Sequence, residues 1–151
     1  MMATEAEDIA AIGRTVDAVY AAISGSVGKE RDWETMRALY LPDARLTAIR
    51  ADGIESGTLE EYIASKRDFL VGNGFSEGTL VNRIVVYGDI AHAWSSYSGG
   101  WTEPDGTEGA TTGINSFQFM RQPDGRWRVL SLLWQVATPD LPLPRDMEKA
   151  A

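Results

Sequence analysis

The chain has 151 residues, 44% of them hydrophobic, which is the size and composition of one domain with its own core. Its net charge of −8, with Lys and Arg scattered, would repel a phosphate backbone, so no nucleic acid is expected as a partner. The absence of cysteine and the single histidine rule out disulfides, thiolate nucleophiles and multi-histidine metal sites, and no run approaches the ~18 apolar residues of a membrane span.

The first residues, Met1-Met-Ala-Thr-Glu-Ala-Glu-Asp8, are acidic and lack the basic and apolar regions of a signal peptide; a cytoplasmic location is the expectation. Ile9, Ile12, Val16, Val19, Tyr20 and Ile23 recur at steps of three and four, predicting a first helix from Glu5 to Ser24. Ser24-Gly-Ser-Val-Gly-Lys-Glu-Arg31 breaks it; the stretch lacks the spacing of a phosphate-binding loop and follows a helix. Asp32 caps a short second helix carrying Trp33, Met36, Leu39 and Tyr40, which Pro42 stops. Asp43 follows at the entry to a short strand, Arg45 to Arg50, and Ala51 to Gly57 is turn-rich. Thr58-Leu-Glu-Glu61 has the form of a capping box and opens a third helix, which Gly72-Asn-Gly74 ends.

Four strands remain: Phe75–Tyr87, Ile90–Thr102, Thr107–Arg121 and Arg126–Val136. The joining turns, Gly88-Asp89, Glu103-Pro-Asp-Gly106 and Gln122-Pro-Asp-Gly125, are short, so neighbours are antiparallel. From Pro139 to the end runs an extended, proline-rich tail. Three helices followed by a meander make a single α+β domain over 1–151, a curved, mainly antiparallel sheet folded around helices.

Counting a two-residue loop at 88–89 and four-residue loops at the two Pro-Asp-Gly turns sets a register. It places Arg83 opposite Trp94, Trp94 opposite Asn115, His92 opposite Phe117, Phe117 opposite Leu130 and Asn115 opposite Leu132. One face then collects Arg83, His92, Trp94, Asn115, Phe117, Leu132 and Trp134, aromatics with a few separated polar groups, as in a ligand pocket. The other collects Ala91, Ala93, Ser95, Ser116, Gln118 and Trp127, which would suit close approach of a second copy in a homodimer. A bulge at Gly99-Gly100 would slip the register by one and swap these assignments.

The hairpin Gly113 to Gln135, with its Gly-Arg-Trp-Arg-Val-Leu-Ser-Leu-Leu-Trp ending, resembles the final hairpin of the nuclear transport factor 2-like superfamily. So do the Tyr-bearing first helix and Leu39-Tyr-Leu-Pro-Asp-Ala44. Phe75-Ser-Glu77, Gly88-Asp-Ile-Ala-His-Ala-Trp-Ser-Ser-Tyr97, Gly113-Ile-Asn-Ser116 and the Leu-Pro-Leu-Pro tail are similar to a SnoaL-like group within it. The resemblance implies a cone-shaped fold with a small-molecule pocket, and dimers formed by sheet packing. Compared with ketosteroid isomerase, Tyr20 matches the oxyanion-hole tyrosine and Trp134 the active-site tryptophan. The two positions matching its acids hold Ala48 and Phe117, which cannot move a proton, so steroid-type isomerisation by that route is not expected.

His92 is the side chain whose ordinary pKa lies nearest neutrality and is a candidate general base; a hydrogen-bonded histidine on a half-buried strand fits equally. Tyr20 and Asn115 are candidates to stabilise an oxyanion or orient a ligand oxygen, against simple core packing. Asp43 reads either as an acid at the cone's mouth or as a turn cap, Glu77 as facing the pocket or solvated, and Arg83 as partner to a ligand carboxylate or to Glu77. With no Asp-x-Asp-x-Asp loop, no metal is expected, and no cofactor. The expected ligand is small and mostly apolar, with one carbonyl or hydroxyl end. The protein either binds it or, as a cofactor-free isomerase, cyclase or lyase, transforms it.

Overall fold

The computed structural model describes residues 3–149. In chain order it forms α1 (Glu5–Ile23), α2 (Trp33–Leu39), β1 (Tyr40–Arg50), β2 (Gly53–Thr58), α3 (Leu59–Gly72), β3 (Gly74–Tyr87), β4 (Ile90–Thr102), β5 (Glu108–Arg121), β6 (Trp127–Val136) and a 3₁₀ turn, Arg145–Met147. The six strands make one sheet in the order β2-β1-β6-β5-β4-β3, antiparallel except where β1 runs parallel to β6. The helices pack in its concavity. This is the α+β architecture expected from the sequence.

Local chemistry accounts for the helix limits. Thr4 and Glu7, and again Thr58 and Glu61, form reciprocal capping boxes that satisfy the first free N–H groups of α1 and α3. Ile12, Val16, Val19, Tyr20 and Ile23 form the buried stripe of α1. No helix among the described residues is long and apolar enough to cross a membrane.

The structure adds two pieces of strand. The stretch 53–58 pairs with β1 as an edge strand; its residues are exposed apart from Gly57, so no apolar alternation announces it. β1 begins at Tyr40 rather than Arg45. Pro42 fits there because the ladder to β6 is irregular between Tyr40 and Arg45, where its missing N–H costs no bond.

The sheet register corrects the expected faces. The β3–β4 hairpin pairs Arg83 with Trp94 and Val85 with His92, as the two-residue turn requires. The Pro-Asp-Gly turns are one residue longer than counted. Gly106 and Gly125 sit at φ of 89° and 86°, left-handed values that place a bulge after each turn. Glu103 N–H then reaches Thr107 O, and Gln122 N–H reaches Arg126 O. Trp94 therefore faces Ser116 rather than Asn115, and His92 faces Gln118 rather than Phe117. A second irregularity between Gln118 and Phe119 takes up Leu130, so Phe117 faces Leu132 and Asn115 faces Trp134. The slip comes from the turns; Gly99 and Gly100 pair regularly with Glu77 and Ser76.

The concave face consequently carries Ala93, Ser95, Tyr97, Asn115, Phe117, Phe119, Leu132 and Trp134. Trp127 belongs there too: it is buried, with the Arg121 guanidinium 4.6 Å over its ring, and is not the outward anchor that counting suggested. The convex face carries Arg83, His92, Trp94, Ser116 and Leu133. The tail closes over part of it, where Met147 is buried and Ser96 Oγ donates to Met147 O at 2.6 Å.

Arg31 ties the narrow region between α1 and α3 together. Its buried guanidinium donates to the carbonyls of Ile23, Gly25, Ser26 and Lys29 on one side and of Leu70 and Asn73 on the other. The carbonyls left open where both helices end are thereby satisfied by one side chain.

Candidate functional site

Between the helices and the concave face lies a cavity of about 820 Å³. Apolar side chains from every layer line it, among them Val19, Met36, Leu46, Leu70, Leu132 and Trp134. Four tyrosines, Tyr20, Tyr40, Tyr62 and Tyr97, join them, together with Asn115 and Glu77. Arg50, Glu55, Ser65 and Lys66 form its solvent-facing rim. A mostly apolar cavity with few convergent polar groups is the usual form of a small-molecule site.

Two polar features stand inside. The first is a hydrogen-bonded chain across the cavity wall. Tyr20 Oη lies 2.7 Å from Ser95 Oγ and accepts from Asn115 Nδ2 at 2.9 Å. When Ser95 Oγ is the donor of the pair, the phenol proton is free to point at a ligand oxygen. Burial raises the Tyr20 pKa well above the ordinary phenol value despite both hydrogen bonds, so the phenol stays a donor at neutral pH.

The second is Glu77. Burial alone raises its carboxyl from an ordinary 4.5 to about 7. Burial raises the phenols of Tyr20, Tyr40, Tyr62 and Tyr97, and the Glu77 charge adds to the rise, as expected of a carboxylate set among phenols. Local structure holds it there. Gly25 and Phe75 exchange backbone hydrogen bonds of 2.8 and 3.0 Å, stitching the loop after α1 to β3. Ser24 Oγ donates to Tyr20 O and accepts Glu77 N–H at 3.1 Å, fixing the two functional residues to one hinge point. Gly99 stands opposite Glu77, where a Cβ would come within 3.2 Å of Oε2; its missing side chain leaves room for the carboxyl.

Of the residues singled out from sequence, Tyr20, Asn115, Leu132 and Trp134 line this cavity. Phe117 shares their face but is stacked on Phe119 at 5.5 Å, fully buried in the core. Ala48, the position of a missing isomerase acid, is likewise buried. His92, Trp94 and Arg83 are corrections: the bulge after the first Pro-Asp-Gly turn puts His92 and Trp94 on the convex face, and Arg83 goes with them. There His92 Nε2 lies 3.0 Å from Ser116 Oγ, Trp94 is 41% exposed, and Arg83 pairs with Asp146. Asp43 is exposed on β1, outside the cavity lining. The residue that sequence reasoning left open is Glu77. Its signal was parity: two residues after Phe75 on one strand, it shares the face of an aromatic core residue. Among the described residues no group of three His, Asp or Glu side chains gathers as a metal site would.

No protein-family model matches the chain, and no curated protein is similar to it in sequence. Solved structures resemble it in fold. A candidate dehydratase of the nuclear transport factor 2-like family from Streptomyces avermitilis superposes with a TM-score of 0.69 at 20% identity, over 87% of this chain and 97% of that one. A ketosteroid isomerase-like protein from Erwinia carotovora gives 0.67 at 17% identity, over 88% and 98%. A protein of unknown function with a cystatin-like fold from Nostoc punctiforme gives 0.66 at 18% identity, over 95% and 100%. The chain thus has the nuclear transport factor 2-like, cystatin-like α+β fold.

Proposed function

We propose that the protein is an acid–base enzyme of the isomerase, cyclase or lyase type, acting on a small, mostly apolar carbonyl compound. The observation that carries this is Glu77: a half-buried carboxyl lining the cavity and poised at about 7, where a general base is most effective. As carboxylate, Glu77 takes a proton from carbon next to the substrate carbonyl. The electron pair moves to the carbonyl oxygen, and the Tyr20 phenol, held by Ser95 and Asn115, donates a hydrogen bond to it. The Glu77 acid then returns the proton to another carbon or to a leaving oxygen. Glu77 takes the place given to His92 by sequence, and it supplies the acid that Ala48 and Phe117 lack.

The test needs no knowledge of the natural substrate. In D₂O the protein should exchange the α-protons of 2-tetralone, followed by NMR, and Glu77→Gln should lower that rate about 100-fold or more. Equal exchange by both proteins would remove Glu77 from this role. A second reading, binding without turnover, is favoured by one observation: the Tyr20 hydroxyl already has two partners. Exchange absent in wild type, with 2-tetralone still bound, selects it.

The proposed assembly is a homodimer through the convex face. Val85 and Tyr87 on β3, Ile90 and Trp94 on β4, and Leu130 and Leu133 on β6 are exposed apolar side chains of the kind that mark an interaction face. The interface thus moves from the small residues first considered to these larger ones.

A further inference from the structure

The rim of the cavity carries two cations, Arg50 and Lys66, and two carboxylates, Glu55 and Asp52. Arg50 ends β1, and Ser65 and Lys66 lie on α3; all three line the cavity. Two cations share one carboxylate: Glu55 Oε2 stands 3.3 Å from Arg50 Nη1 and 3.0 Å from Lys66 Nζ, while Oε1 accepts from Ser65 Oγ at 2.8 Å. The Arg50 contact uses Nη1 alone and is long, so the two-pronged face that suits a carboxylate is open. Side-chain exposures of 32% and 23% for Arg50 and Lys66 shield the pair from bulk water more than an ordinary surface ion pair. The Arg50 charge also acts inward, offsetting part of the burial effect on Tyr62 and Tyr97. Asp52 lies at the same rim but is exposed and stands outside this group.

We propose that the ligand of this cavity carries a carboxylate, held by Arg50 and Lys66 at the rim. Its apolar body lies along Leu132 and Trp134, and its reacting carbonyl or hydroxyl end meets Tyr20 and Glu77. The substrate class is therefore an amphiphilic keto or hydroxy acid. The reacting end rests on the acid–base reading of Glu77; the anionic end rests on the rim alone.

The experiment compares 4-phenylbutyrate with its neutral amide, 4-phenylbutyramide, by isothermal titration to the full chain at about pH 6. There the probe is ionised, and Glu77 is mainly neutral and does not repel it. The wild type should prefer the carboxylate about tenfold or more, and added salt should shrink the preference. Arg50→Met should abolish it with amide affinity unchanged, Lys66→Met should reduce it, and Arg50→Lys should keep part. Thermal midpoints near wild type show that the variants are folded. Equal binding of both probes to wild type overturns the anionic end and leaves the pocket reading standing. A preference that survives both methionine variants also overturns it. Failure of both probes to bind overturns it together with the pocket. If the wild type shows the preference but no proton exchange, the acid–base reading falls and the carboxylate site stands.

Discussion

Replacing Glu77 by Gln should make the protein more stable, and only above a definite pH. Below pH 4.5 the carboxyl is protonated in the folded and unfolded chains alike, so wild type and variant differ little. Between 4.5 and about 7 the unfolded chain releases the proton while the folded chain keeps it, so wild-type stability falls as pH rises. Above about 7 both states are ionised and the loss is complete. At ~1.4 kcal/mol per pH unit, the gap from 4.5 to about 7 amounts to about 3 kcal/mol. Urea denaturation of both proteins at pH 4, 6 and 8 reads this directly, since subtraction cancels every group they share. The Glu77→Gln advantage should be near zero at pH 4, intermediate at pH 6 and about 3 kcal/mol at pH 8. A difference that stays flat with pH would falsify the account of a half-buried, unpaired carboxyl.

Two further outcomes follow from the sheet register. Trp127→Ala removes a buried indole from the concave core and should cost about 3–5 kcal/mol in chemical denaturation; a cost under about 1 kcal/mol would place Trp127 outside the core. Trp94→Glu puts a charge on the convex face and should give monomers by sedimentation velocity with 2-tetralone exchange intact; an unchanged mass, or a monomeric wild type, argues against assembly through this face.

The helices and strands were legible because their signals are local. Capping boxes at Thr4 and Thr58, apolar steps along α1, and the two-residue turn at Gly88-Asp89 each act within a few residues. The edge strand 53–58 was not, because a pairing that buries almost nothing leaves no pattern. The site was half legible for a different reason. Side chains alternate with a period of two, so one extra residue at Gly106 sends His92 and Trp94 to the opposite face from Asn115. Between β5 and β6 the extra residue at Gly125 is offset by another, Leu130, which restored the pairing of Asn115 and Phe117 with the even positions of β6, so Leu132 and Trp134 were still grouped with them. Glu77 was visible as a parity match to Phe75, but its value as a base depends on burial that only the assembled cone supplies.

Arg31 has a consequence for how this protein can vary. A guanidinium that grips only main-chain carbonyls is indifferent to the side chains those residues carry. The exposed positions Ser26 and Lys29, gripped only through their carbonyls, can therefore be rewritten, by drift or by an engineer, while the path of the loop is kept. One neighbour is exempt: a Cβ on Gly25 would stand 2.5 Å from the Arg31 guanidinium. Since the Ser24 hydroxyl and the Gly25 backbone also set Tyr20 and Glu77 in place, one arginine, one serine and one glycine hold the cavity's chemistry steady while the exposed loop positions around them change.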